Sequence, residues 1–234
     1  MKSLCLLVFM AVVMMGCGSK KLDLSTVDFS KSADTYLNGI HPTANTAQKG
    51  HYEIEGSGDH VNLALKDQGE RIEKYTFMDE TAVKQLNYGG IPINPVLGAA
   101  ICVYNGKIGF MRLQAAQGRS LDLFLVLKKQ LGAPTEVITD SVRFEDGNVA
   151  QKEFLESLPA YSKKIKDDMD DVYLHYPQNI IWIKGDLIYQ LTLSPVEKNI
   201  NNTLVVITRK AFKDKVIFGY HVPDQDPILS KYMK

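Results

Sequence analysis

Apolar and polar residues alternate over Val61, Leu63 and Leu65, the period of a strand with one buried face. Asp67-Gln68-Gly69 carries turn chemistry, so Arg71–Phe77 is expected to return as a second strand. Glu80–Asn87 reads as a short helix stopped by Gly89-Gly90. The clearest local pattern comes next. Ala99–Tyr104 and Lys107–Leu113 flank Asn105-Gly106, a pair that suits a type I′ hairpin turn because both central residues take positive φ. The expected register puts Ile101, Val103, Ile108 and Phe110 on one face and Cys102, Met111 and Leu113 on the other. Apolar positions on both faces call for an interior pair of strands covered on both sides.

Ser120–Leu131 has helical spacing, with Leu121, Phe124, Leu125, Leu127 and Leu131 apolar. Ser120 is expected to cap it, and Gly132 with Pro134 to end it. Glu136–Thr139 then looks extended, and Glu145-Asp146-Gly147-Asn148 makes a turn. Gln151–Leu158 and Tyr161–Met169 are expected as short helices, with Val172–Tyr176 a strand. A second hairpin joins Ile180–Lys184 to Leu187–Leu193 through Gly185-Asp186, a type II′ sequence that sets Trp182 opposite Tyr189. Leu204–Thr208 supplies a strand beside it, and an extended tail begins at Pro223. Hairpins with few helices between them predict an α+β fold, an antiparallel sheet with a few helices packed on one face. Parallel βαβ order fits poorly, because both good turns are tight hairpin turns.

The amino terminus follows a different rule. Met1-Lys2-Ser3 gives a positive start, Leu4–Met15 is unbroken apolar sequence, and Gly16-Cys17 closes it. The run is shorter than the roughly 20 residues a spanning helix needs and suits the core of a secretory signal peptide. With Gly16 just before the cysteine and Met14 in the place of the usual leucine, the stretch resembles the lipobox of bacterial lipoproteins. The resemblance covers residues 1–17 alone. It implies a signal peptide over 1–16, a lipidated Cys17 as mature amino terminus, and a protein held in the cell envelope by acyl chains. Two or three such chains anchor durably where one does not. Gly18 stands where an Asp resembles an inner-membrane retention signal, so the outer membrane, periplasmic side, is the expected location. Residues 17–48, polar and without sustained period, are expected as the lipidated cysteine and a flexible tether, and 49–234 as one α+β domain.

Composition narrows the partners. The chain has 27 Lys and Arg against 27 Asp and Glu, so no basic excess draws it to nucleic acid. Cys5 leaves with the leader and Cys17 takes lipid, which leaves Cys102 without a disulfide partner. It sits in the apolar run Ala99–Val103 and is expected to pack as a small hydrophobe.

Catalytic and metal signatures are weak. His41, His51, His60, His175 and His221 do not form an HExxH pattern. His51 and His60, beside Asp59, are the best metal pair, with solvent-facing strand ends as the plainer alternative. Asp167, Asp168, Asp170 and Asp171 lack the spacing of a calcium loop. The lysines before them are expected to form Lys163–Asp167 and Lys164–Asp168 pairs on a helix end. Glu145, Asp146, Glu153 and Glu156 offer carboxylates for glycoside chemistry, and Ser57 and Ser194 lack an oxyanion context. Arg209, Lys210, Lys213 and Lys215 make a basic run, read first as a solvated face. Tyr161, Tyr173, Tyr176, Trp182, Tyr189 and Tyr220 cluster late in the chain. Trp182, Tyr189 and Tyr176 are the positions from which a binding surface would be built, against core packing as the default reading.

The expectation is therefore a lipid-anchored envelope protein with a binding or interaction domain, its partner another envelope protein or a glycan. No cofactor, metal or catalytic residue is assigned. An envelope hydrolase acting on glycan or peptide is the alternative, and a structural subunit of a membrane-associated complex is a third.

Overall fold

The computed structural model describes residues 20–57, 60–214 and 230–233, with 48, 50–57, 60–70 and 233 described by their backbone. The expected leader over 1–16, Cys17, Asp59, Lys215, Tyr220, His221 and the stretch 223–229 expected as an extended tail lie outside the described residues. In chain order the elements are β1 (Leu22–Asp23), α1 (Asp34–Leu37), β2 (Ala44–Ser57), β3 (His60–Phe77), α2 (Glu80–Val83), β4 (Leu86–Tyr88) and β5 (Ile91–Pro92). Then come β6 (Ala99–Tyr104), β7 (Lys107–Leu113), α3 (Ser120–Leu131), β8 (Glu136–Arg143), α4 (Val149–Ser157) and β9 (Lys163–Lys166). The last are β10 (Val172–Lys184), β11 (Leu187–Val196), β12 (Asn199–Thr208) and α5 (Arg209–Lys213). The fold is α+β around one large antiparallel sheet, ordered β2-β3-β6-β7-β12-β11-β10-β8. β9 pairs with β10 as well. No helix among the described residues is long and apolar enough to cross a membrane.

The two hairpins form where the local chemistry placed them. Asn105 (φ 52°) and Gly106 (φ 69°) turn β6 into β7, and Gly185 (φ 59°) turns β10 into β11 with Trp182 opposite Tyr189. The faces of the first hairpin differ from expectation. Cys102 pairs with Phe110 and Val103 with Ile108, so Gly109 is an extra residue in a bulge. The slip exchanges the faces beyond it, because side chains alternate with period two. Phe110 joins Cys102 on one side of the sheet, while Met111 and Leu113 join Ile101 on the other. The pair is interior and covered on both sides.

The larger core takes Leu123, Phe124 and Leu127 of α3, and Ala150 and Phe154 of α4. The opposite face carries a smaller cluster of Ile72, Cys102, Phe110, Ile181, Ile188 and Ile207, covered by Ala211 and Phe212 of α5 and by Tyr232. Helical cover thus comes from both sides of the sheet. Ser120 is not the helix cap. Arg119 holds that position, and Ser120 is buried with its Oγ donating to the Ile200 carbonyl and accepting from Asn202 Nδ2 at 2.9 Å.

Three further expectations are corrected. Residues 20–43 are no tether. Leu22, Leu24, Phe29, Ala33, Leu37 and Ile40 are buried in the larger core, and β1 pairs in parallel with β4. Asp23 Oδ1 accepts from the Gly89 amide at 2.7 Å, and buried Gln85 clamps the His41 backbone through Oε1 (2.9 Å) and Nε2 (2.8 Å). That segment's apolar residues are too widely spaced to show a period. They fill the core singly, and β1 gives Leu86 and Asn87 a strand partner, which confines the helix expected over 80–87 to α2.

Asp67-Gln68-Gly69 does not reverse the chain. β3 runs on through it, and between the pairs Lys49↔Arg71 and His51↔Lys66 the extra residues form an irregularity. The ribbon on either side holds the strand direction, so turn chemistry yields a bulge there. Tyr161–Met169 is not a helix. Lys163–Lys166 pairs with β10 as β9, and Asp167 Oδ1 closes the following turn by accepting from the Met169 and Asp171 amides, both at 2.9 Å. The ion pairs are accordingly Lys166–Asp170 (3.1 Å) and Arg143–Asp171 (2.8 Å), and Lys164 lies over the Phe144 ring at 3.6 Å. The free edge of β10 competes for this segment and wins over helical spacing.

Candidate functional site

Both hairpin turns lie at the same end of the sheet. The β6–β7 turn brings Tyr104, Lys107 and Ile108 there, and the β10–β11 turn brings Lys184, Asp186 and Leu187. β12 ends beside them at Thr208 and passes into α5 with Lys210. The segment Asp28-Phe29-Ser30 closes the remaining side. It is held there by the Ala33 amide donating to the Gly106 carbonyl at 2.9 Å and by a bridge between Ser32 and Lys107. Four chain segments thus enclose an open cleft of about 620 Å³.

Its apolar side is Phe29, Ile108 and Leu187, and its charges are mixed. Lys210 donates to Asp214 at 2.5 Å, and the Tyr104 hydroxyl donates to the same carboxylate at 2.5 Å. Partial burial works to raise the Asp214 carboxyl, but these two hydrogen bonds outweigh it and hold it below its ordinary value. Burial and then the bond to Asp214 push the Tyr104 phenol up, and Asp214 raises the Lys210 ammonium. Asp28 is held low by hydrogen bonds from Ser30, at 2.6 Å from Oγ and 2.9 Å from the amide, with Lys31 and Lys107 adding to the effect. Among the described residues, Lys107 and Lys184 form no ion pair and Asp186 has no side-chain partner. The cleft therefore offers two ammoniums outside any ion pair, Lys184 and Lys107 (the latter within electrostatic reach of Asp28), and the Asp186 carboxylate above an apolar floor. Such a set suits a ligand that carries both carboxylate and amino groups.

A second cleft of about 630 Å³ lies by the loop Asn94–Leu97, next to Gln114, Gln117 and Asn199–Asn202. Its lining is amide and apolar, with Val96 exposed to 73%. A third, of about 550 Å³, lies between α2, β4 and β5 beside Lys21.

The residues singled out from sequence fall elsewhere. Trp182 is 0% exposed, with Nε1 donating to the Gly132 carbonyl at 3.0 Å and its ring 6.2 Å from Phe124. Tyr176 is buried against Phe154, and burial raises its phenol, with Asp140 adding to the shift. Tyr189 is half-buried and packs on the same core. An exposed platform on Trp182 and Tyr176 is thereby overturned. Strand alternation turns both inward, as in the default reading. Glu145, Asp146, Glu153 and Glu156 line none of the three clefts. His175 sits on β10 with Nδ1 3.1 Å from Ser141 Oγ, and Cys102 is buried in the smaller cluster. Among the described residues no three His, Cys, Asp or Glu side chains gather in a metal-binding group. Of the described residues of the basic run, Arg209, Lys210 and Lys213, only Lys210 lines the cleft, and Lys215 lies outside the described residues. The other cleft residues escaped notice because they lie 28 to 210 along the chain, and turn lysines carry no spacing rule. Compared with known proteins, the chain matches no family model, no curated protein and no solved structure.

Proposed function

We propose that this chain is a lipid-anchored cell-envelope protein, fastened through Cys17 and facing the periplasm from the outer membrane. Its α+β domain binds an envelope ligand of mixed charge in the cleft between the hairpin turns. The carrying observation is Lys107, Lys184 and Asp186, outside any ion pair among the described residues and gathered over Phe29, Ile108 and Leu187 by the β6–β7 and β10–β11 turns. Rigid sheets present turns with little backbone freedom, so groups placed there are already positioned for a ligand. Peptidoglycan has the matching chemistry, since its peptides carry carboxylates and amines on an uncharged glycan. The lipobox resemblance supports the location, and the cleft supports the binding role.

Two measurements test the reading. Cells fed an alkyne-bearing fatty acid should label the full chain, and Cys17→Ser should abolish the label. Label kept on that variant refutes the anchor. Detergent-solubilised full chain should co-sediment with purified peptidoglycan sacculi, and Lys107→Glu with Lys184→Glu should weaken this about tenfold or more, as expected when two ligand ion pairs are reversed. Equal sedimentation of wild type and variant, or none by the wild type, removes the cleft from the proposal.

A further inference from the structure

Away from the cleft, the β2–β3 ribbon extends beyond the body of the sheet. β3 pairs with β6 from Ile72 to Phe77, but it continues outward to His60 paired with β2 alone. Residues 49–57 and 60–71 therefore form a two-stranded arm, roughly 25 Å long at about 3.3 Å per residue. The register sorts its positions sharply. Tyr52↔Leu65, Ile54↔Leu63 and Gly56↔Val61 share one face, and His51↔Lys66, Glu53↔Ala64, Glu55↔Asn62 and Ser57↔His60 share the other. β2 ends the strand order, so among the described residues nothing pairs with its outer edge. A two-stranded ribbon is marginal alone, and three or more strands with an apolar face are needed for stability in water. A long open edge is also a template for another strand, which proteins ordinarily block. Here no proline interrupts Ala44–Ser57.

The order of charges along that edge points to the occupant. Lys49 and His51 precede Tyr52, and Glu53 and Glu55 follow it. In an antiparallel pairing of β2 with a second β2 about a two-fold axis through Tyr52, Lys49 meets Glu55 of the other copy and His51 meets Glu53. Symmetry repeats both pairs, so four pairs join basic to acidic positions. A shift of the axis by one residue would set Glu53 against Glu53. Opposite charges directly across a strand pair are favourable and like charges are not, so the charge order selects this register. From the open edge and this complementarity we infer that the arm joins a second copy of the chain through β2, making a four-stranded sheet β3-β2-β2-β3 with the positions of Tyr52, Ile54, Val61, Leu63 and Leu65 from both copies on one face.

The test uses the full chain in two differently tagged forms, co-expressed, solubilised in detergent and captured through one tag, with sedimentation velocity on the purified protein. Wild type should co-purify with itself and sediment as a dimer. Glu53→Lys with Glu55→Lys turns all four pairs repulsive and should weaken self-association about tenfold or more. Lys49→Glu with His51→Glu should do the same. The two variants mixed regain four opposite pairs and should form a heterodimer of wild-type strength, which also shows that both are folded. A monomeric wild type, variants that dimerise as wild type does, or a mixture no better than either variant alone overturns the inference. The inference is independent of the cleft, since none of these substitutions touches it.

Discussion

Gly98→Ala should unfold a large share of the protein, with a loss of about 2–5 kcal/mol. Gly98 sits between Asn94, whose carbonyl accepts its amide at 2.8 Å, and Gln114, whose amide donates to its carbonyl at 3.2 Å. A Cβ there would lie 1.9 Å from the Phe77 carbonyl oxygen and 2.9 Å from its carbon. The obstacle is backbone, pinned where Phe77 pairs with Ala99 at the joint of β3 and β6. No side-chain rotation relieves it. The φ of +63° adds a left-handed penalty of about 1–2 kcal/mol to an overlap that costs at least about 1–3 kcal/mol. Gly90→Ala separates the two effects. Gly90 has φ +84° with nothing within 4 Å of the added carbon, so only the backbone penalty remains, about 1 kcal/mol. Thermal unfolding followed by circular dichroism reads both. Equal midpoints for the two variants would contradict the packing described at Gly98.

Trp182→Ala should cost about 3–5 kcal/mol, a large part of the roughly 5–15 kcal/mol that ordinarily separates folded from unfolded chains. The indole is fully buried at the centre of the larger core. It pairs across the hairpin with Tyr189, leans on Phe124 of α3, and donates to the carbonyl of Gly132 where that helix ends. It therefore ties the sheet to the helix packed on it. Trp182→Phe keeps most of the apolar contact and leaves the Gly132 carbonyl without its donor, so about 1–3 kcal/mol is expected. Urea unfolding with a common slope gives both values. A change under about 1 kcal/mol for Trp182→Ala would mean that the indole is exposed, and would return it to the surface as a candidate for binding.

The same tryptophan shows where reading the chain succeeds and where it stops. Its position opposite Tyr189 was legible because Gly185-Asp186 admits a tight turn and fixes the register. Whether that pair faced water or core was not, since alternation marks two faces without saying which is covered. Cover came from α3, whose own spacing was legible, and from the residues between Leu22 and Ile40, whose spacing was not. One extra residue at Gly109 carried Phe110 to the opposite face from Ile101, and no local preference announces such a bulge. Lys163–Asp167 could pair along a helix only if no strand edge stood nearby, and β10 supplied one.

The linear order of residues determined the two hairpins, the helix over Ser120–Leu131 with its stop at Gly132, the α+β class, and the charge order along Lys49–Glu55. Each depends on neighbours within a few positions, where turn geometry and periodicity act before the chain has folded. Only the tertiary structure decided that residues 20–43 belong to the core, that Trp182 and Tyr176 are buried, and that Asp28, Lys107, Lys184 and Asp186 share one cleft. Those outcomes depend on which distant segments meet. Burial and hydrogen bonding between them settle that for the whole chain at once.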